Sequence, residues 1–272
     1  MPKGIAVDNQ GRLKERVAMS DTNLLLTITV VVFFILYLSA VFFLGGSFTK
    51  PQNFLNILNN NASLIVLSCG MSLVMITGGI DISVGAVTSL VCMTCAVNLE
   101  QQGGNIFTVI LIGLGIGLAF GVVQGFLVAH LGIQPFIISL AGMFFAKGMT
   151  TIVSKEPIRV TNEGFLAVKD LRITVPGLGA PNKLGVYVPA YVEVGVVIAL
   201  LVVVLLFCLL RWTKLGRAFY AVGGNNQSAN MLGINVRRTK FLAHVLCSLL
   251  AGLGGILYFL HVGSGDVANG AG

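Results

Sequence analysis

Charge is what this sequence has least of. Only 10% of its 272 residues are Asp, Glu, Lys or Arg, against about 25% in soluble domains, while 56% are hydrophobic. That deficit excludes an ordinary water-soluble enzyme. Residues 22–49, 51–80, 101–146 and 241–265 contain no Asp, Glu, Lys or Arg, and about 20 apolar residues suffice to cross a bilayer core as a helix. The short alternating strands of a closed barrel are missing too, so backbone groups in hydrocarbon must pair within their own segment. The fold class is all-α, a polytopic transmembrane helix bundle of about seven spans.

The recipes of catalysis are absent as well. There is no G-x-x-x-x-G-K-[ST] phosphate loop, no H-E-x-x-H and no G-x-S-x-G. His130, His244 and His261 are scattered and read as packing or interface residues. All five cysteines, Cys69, Cys92, Cys95, Cys208 and Cys247, fall in apolar spans, and Cys92-x-x-Cys95 lacks the two further ligands a zinc site needs. The chain is expected to be no enzyme, with no metal and no cofactor of its own. Acidic residues are so sparse that Asp81 stands alone between Asp21 and Glu100. A proton-coupled secondary transporter, the main alternative, usually relies on intramembrane acids or histidines as relays.

Spans are expected at about 24–44, 55–77, 83–99, 106–129, 135–153, 190–210 and 241–262. The uninterrupted apolar run Leu24 to Leu44 exceeds the roughly 7–15 residues of a signal-peptide core, so it reads as a retained anchor behind a cytoplasmic tail, residues 1–23, with the permease domain at 24–272. Seventeen basic residues against ten acidic leave +7. Because these basic residues flank apolar spans, they indicate orientation in a lipid membrane and not nucleic acid. With the amino terminus inside, alternation also places the loop 211–240 inside. That loop holds Arg211, Lys214, Arg217, Arg237, Arg238 and Lys240 and no acid, in accord with the positive-inside rule. The longer loop 154–189 is then outside; Pro157, Pro176, Pro181 and Pro189 predict turns and short extended pieces there.

Three regions invite a functional reading. In Gly78-Gly79-Ile80-Asp81-Ile82-Ser83-Val84-Gly85 the glycines permit a sharp turn. Asp81 or Ser83 can cap the orphan amides of the next helix, or Asp81 can serve a gate or pathway, and the two roles are compatible. Gly113, Gly117, Gly121 and Gly125 recur every four residues and form a smooth helical stripe for close packing. Lys147 is expected to snorkel outward, and Glu193 to sit in the first turn of the sixth span. In the inner loop, Phe219, Tyr220, Met231, Leu232 and Ile234 are more apolar than a connector requires. Asn225 or Asn226 can cap a short helix ending at Gly233, either tucked against the bundle or offered to a partner. Polar residues of the second to fourth spans, Asn60, Thr77, Ser83, Thr88 and Gln124, are candidates for a passage, although Ser and Thr in membrane helices often bond their own backbone.

Three stretches together resemble the integral-membrane permease subunits of bacterial ABC sugar importers of the ribose, xylose and galactose type, most of all the galactofuranose type. They are Gly78 to Gly85, the run Ile138-Ser139-Leu140-Ala141-Gly142-Met143-Phe144-Phe145, and Gly216-Arg217-Ala218-Phe219-Tyr220-Ala221-Val222-Gly223-Gly224-Asn225 through Ala229 and Leu232-Gly233-Ile234. The resemblance runs from about residue 20 to the end. It implies import of a monosaccharide into the cytoplasm through a pathway shared by two permease subunits, identical or different, in the bacterial inner membrane. Such a pathway is fed by an extracytoplasmic sugar-binding protein. Cytoplasmic ATP-binding subunits, which hold the ATP, would power it by docking on the loop matched by Gly216 to Ile234. Members of the family continue for two or three further spans, so this chain is expected to be a fragment truncated after Gly272.

Overall fold

A computed structural model describes residues 21–45, 50–181 and 187–268, which contain ten helices and four short strands. Most of the expected tail (1–20), Lys183 of the outer loop and residues 269–272 lie outside that description. The chain divides into two compact units, 1–53 and 54–272. The first holds α1 (Asp21–Leu44), apolar all round. Its Thr27 and Thr29 hydroxyls donate to the Asn23 and Leu25 carbonyls one turn back, at 2.8 and 2.9 Å, so they need no water.

Helix α2 (Pro51–Ile76) begins three residues before the boundary, and after it run α3 (Val84–Gln101), α4 (Ile106–Ala129), α5 (Pro135–Val153), β1 (Ile158–Arg159), α6 (Glu163–Lys169), β2 (Arg172–Pro181) and β3 (Tyr187–Glu193). They are followed by α7 (Val194–Trp212), α8 (Lys214–Gly224), α9 (Asn226–Met231), α10 (Val236–Val262) and β4 (Ser264–Gly265). Among the described residues, seven helices, α1 to α5, α7 and α10, are long and apolar enough to cross a membrane. The largest departure from expectation is at α10, which begins at Val236 and not near 241. Asn235 accepts the Arg238 N–H at 2.9 Å and caps the helix there, drawing Arg237, Arg238 and Lys240 into its first turns. Asn59 to Asn61 do not interrupt α2, because Asn59 turns inward and accepts the Glu193 N–H at 3.0 Å.

The glycine stripe finds its partner in α10. A Cβ at Gly117 would lie 3.1 Å from the Gly252 Cα, and one at Gly121 would lie 2.8 Å from the Val245 Cα. Gly125 faces Phe241 and His244. Hydrocarbon offers no hydrophobic drive between helices, so this backbone-to-backbone approach is a main source of attraction. Helix α3 packs on α4, α5 and α10, and the core includes Val87, Val91, Cys95, Phe165 and Phe259.

Chain direction sorts the connections of the second unit into two ends. At one, β1 pairs antiparallel with β4, Ile158 opposite Gly265, and β2 pairs with β3. There the Glu100 carboxylate accepts the Thr161 N–H at 2.6 Å, the Thr161 hydroxyl at 2.8 Å and the Asn162 N–H at 3.0 Å. At the other end lie the α2–α3 turn, the α4–α5 link and the segment carrying α8 and α9. The basic residues of 211–240 mark this second end as the cytoplasmic one.

Candidate functional site at the cytoplasmic end

The turn from α2 to α3 is built around two glycines with different tasks. Gly78 has φ +82°, which only glycine adopts without strain. Gly79 is excluded from growing by space, since its Cβ would stand 2.9 Å from Val74 Cγ1. The chain then delivers Asp81 to a fully buried position. Its Oδ1 accepts the Ser83 N–H at 2.9 Å and the Ser83 hydroxyl at 2.6 Å, and the Cys247 thiol of α10 reaches Oδ2 at 3.7 Å. The Ser83 oxygen in turn accepts from Gln124 Nε2 of α4 at 2.9 Å. Ser139 of α5 is also there, its hydroxyl 3.4 Å from the Ile80 carbonyl.

This differs from the cap expected of Asp81 or Ser83. Ser83 is the N-cap residue of α3 but makes no side-chain cap bond and has helical angles, φ −79° and ψ −16°. Its hydroxyl goes instead to the Asp81 carboxyl oxygen two residues back, which the turn holds within 2.6 Å. Asp81 holds the amide of the N-cap residue itself and so pins the turn, leaving the helix amides after it uncapped by either side chain.

The candidate pathway residues fare differently. Gln124, Ser83 and Asp81 form one hydrogen-bonded chain. Thr77 and Thr88 spend their hydroxyls on the Val74 and Val84 carbonyls, at 2.8 and 3.0 Å. Asn60 is exposed near the start of α2, and the Gly85 carbonyl receives the Ser89 hydroxyl at 3.4 Å. None of these four joins the chain of bonds. Sequence reasoning missed Cys247, His244 and Ser139. The available signal was the spacing of His244, Cys247, Ser248, Ala251 and Gly252, which puts polar and small residues on one face of α10. His244 and Ser248 are buried, and neither His244 Nδ1 nor Ser248 Oγ has a partner among the described residues.

His261, by contrast, joins the other end, with Nδ1 2.8 Å from Glu193 Oε2. His130 stacks on Phe126 with ring centroids 5.0 Å apart. Glu193 is the N-cap residue of α7, one position before the expected first turn. Lys147 is exposed on α5.

Below the turn, Thr213 starts α8 by accepting the Gly216 N–H at 3.1 Å, and Gly216 folds so closely on α7 that a Cβ would strike the Leu209 and Leu210 carbonyls. Arg217 points out of the helix, while Phe219 is buried among Leu73, Val74, Ala243 and Cys247. A Cβ on Gly223 would run into the Ile76 carbonyl, the last residue of α2. Helix α8, through Gly223, therefore lies against the end of α2 just before the Asp81 turn, while Ala221 is half-buried and Gly224 is exposed with open space beside it. Asn225 then accepts the Ser228 N–H at 2.9 Å and caps α9, which buries Ala229 and ends at Gly233 with φ +79°. Past that cap, Met231 is 86% and Leu232 78% exposed. Of the two alternatives for this loop, α8 takes the tucked place and the end of α9 presents an apolar surface. Only α9 was expected as a helix. The run Lys214–Gly224 contains three glycines, which hid its helical character.

Apolar spans packed through small residues, with a buried Asp-bearing turn seated on a cytoplasmic connector, define the class: a polytopic membrane transport subunit. Comparison with known proteins specifies it further. Residues 53–272 match the family described as the branched-chain amino acid transport system / permease component, and the chain belongs to that family. It is 32% identical over 253 residues to a fructose import permease of Bifidobacterium longum, covering 93% of this chain and 72% of that protein. An inner membrane ABC transporter permease of Escherichia coli is 34% identical over 254 residues, 93% of this chain and 73% of the relative. The galactofuranose transporter permease of Escherichia coli is 35% identical over 225 residues, 83% and 60%. No solved structure matches the chain. The protein is thus a multi-pass inner-membrane permease component of an ABC importer and not an enzyme, in a family that works with ATP-binding and substrate-binding partners. A proton-coupled secondary transporter is not favoured.

Proposed function

We propose that the complete subunit forms half of the conduit of an ATP-driven monosaccharide importer carrying galactofuranose, ribose or a related sugar. A second permease copy or paralogue supplies the other half, and a sugar-binding protein feeds the strand-bearing outer end. The subunit binds no cofactor itself; ATP belongs to the partner. Gly216 to Gly233 form the coupling element, and Gly78 to Gly85 form the gate above it.

One observation carries this reading. The buried face of α8 touches the end of α2, while Met231 and Leu232 face the cytoplasm with nothing apolar over them. A nucleotide-driven partner that grips the exposed side moves α8, and α8 has no slack against the Ile76 carbonyl. The push therefore reaches the Asp81 turn, from which bonds run to α3, α4 and α10. For this to shift the conduit between openings, the partner must favour one arrangement over the other. The sugar preference is supported by relatives named for fructose and galactofuranose.

Uptake measured in cells tests both the energy source and the cargo. Import of radiolabelled galactofuranose or ribose is expected to survive an uncoupler and to stop when the adjoining ATPase is deleted. Collapse with the uncoupler, or import of leucine in place of any sugar, overturns the proposal.

A further inference from the structure

The start of α10 and the end of α4 enclose a hollow of about 510 Å3 at the cytoplasmic end, lined by His130, Asn235, Arg237, Arg238, Phe241 and Leu242. Its wall is layered. Arg237 and Arg238 lie in the first turn of α10, and Phe241 and Leu242 follow each of them by four positions, about 6 Å deeper along the helix axis on the same face. Phe241 also opens the charge-free run 241–265, so the hollow straddles the level at which α10 enters hydrocarbon. His130, the C-cap residue of α4, completes the wall. Its ring stacks on Phe126 and meets Phe241 edge-on, with centroids 6.0 Å apart and planes at 76°.

The charge of this wall is unbalanced. No acidic residue lies between Glu193 and Asp266, and Asp81 of the α2–α3 turn is fully buried on Ser83 and Cys247. Arg237 and Arg238 are exposed, and among the described residues neither forms an ion pair. Asn235 has already given its side-chain oxygen to the Arg238 N–H, so the polar half of the wall offers donors. Two guanidinium forks side by side match the oxygens of a phosphate, which each can hold in pairs.

We propose that this hollow binds an anionic phospholipid of the inner leaflet: Arg237 and Arg238 hold the headgroup phosphate, and an acyl chain runs down over Phe241 and Leu242 towards Phe126. A free phosphate ion would use the polar half alone. A soluble partner could bring acids to the arginines, but it cannot follow the wall past His130 to Phe126, which lies one turn inside α4 and is exposed to the hydrocarbon. A lipid matches both halves and bridges α4 to α10. Negative lipids of the cytoplasmic leaflet gather at basic clusters of this kind, and basic pockets between spans bind their headgroups. The site is independent of the solute carried.

The test titrates the full-length subunit, purified in neutral detergent, with phosphatidylglycerol or phosphatidylcholine, reading lipid retention by native mass spectrometry and the melting temperature in parallel. The wild type is expected to retain phosphatidylglycerol in preference and to melt higher with it. The double variant Arg237→Gln, Arg238→Gln should bind phosphatidylglycerol about thirtyfold more weakly and lose the thermal gain. The double variant Arg211→Gln, Lys214→Gln removes the same charge from the junction of α7 and α8 and should keep both. Equal retention of the two lipids by the wild type, wild-type retention by the first variant, or the same loss from both variants overturns the site. An equal thermal gain from inorganic phosphate would make it a free-anion site and overturn the lipid. If the first variant keeps its lipid and instead loses the ATPase on co-purification, the arginines serve a protein partner and the proposal fails. Should that variant not fold, Arg238→Gln alone decides, with about fivefold weaker binding expected and wild-type binding contradicting the site.

Discussion

The two ends of the second unit are held together by different physics. At the outer end, polar links join elements that water reaches: Glu100 to Thr161 and Asn162, and Glu193 to His261 with side chains 28% and 31% exposed. At the inner end the links are buried, and backbone lies on backbone where Gly223 meets Ile76. Links exposed to water can break and re-form at little cost, since a protein bond is exchanged for one to solvent. A buried network has no such exchange and moves as a unit. The outer end is thereby suited to receiving a separate protein, and the inner end to passing on a push.

Substitutions sharpen this contrast, and the largest effect is expected in the packing that joins α4 to α10. Gly117→Leu forces a branched side chain into the Gly252 backbone. Overpacking of this kind costs about 1–3 kcal/mol or more, so folded full-length subunit should largely disappear from detergent extracts; wild-type yield and melting temperature would refute the packing.

Next comes the carboxylate. Asp81→Leu strands the Ser83 N–H and hydroxyl, at about 1–3 kcal/mol for each buried orphan, and should lower the melting temperature sharply. Asp81→Asn keeps an acceptor and should lie close to wild type. Equal damage from both would mean that the charge itself, and not the pinned turn, is what the inner end requires.

A smaller structural effect with a functional signature is expected for Gly223→Ala. Its methyl group displaces α8 from Ile76, so the complex should hydrolyse ATP while importing less sugar than wild type; a proportional fall in both activities would locate the damage elsewhere. Least is expected at the outer end. Glu193→Gln breaks a half-exposed pair worth about 0.2–1 kcal/mol, and a larger drop in thermal stability would show that the two ends do not differ as described.

How much of this could be read from residues alone follows the same division. The spans were legible because charge gaps and hydrocarbon thickness leave few alternatives, and the glycine stripe at 113, 117, 121 and 125 announced a close helical contact. The partner α10 was not legible, since periodicity on one helix says nothing about which other helix carries Gly252. Asp81 stood out as a lone acid, yet its bond to Ser83 in place of a cap depends on a competition between acceptors that only folded geometry decides. Cys247 and His244 looked like apolar-span residues because their neighbour Asp81 is more than 160 positions away in sequence. In the inner loop the Asn225 and Gly233 punctuation marked α9, while the glycines that let α8 approach α7 and α2 disguised it as irregular chain.

The most direct test of the coupling assignment is co-purification. The full-length subunit is expressed with the cytoplasmic ATPase, with residues 216–234 native or replaced by a polar linker of the same length. The account predicts that the native chain retains the ATPase and that the replaced chain releases it while remaining inserted in the membrane. An ATPase that stays bound to the replaced chain would contradict it.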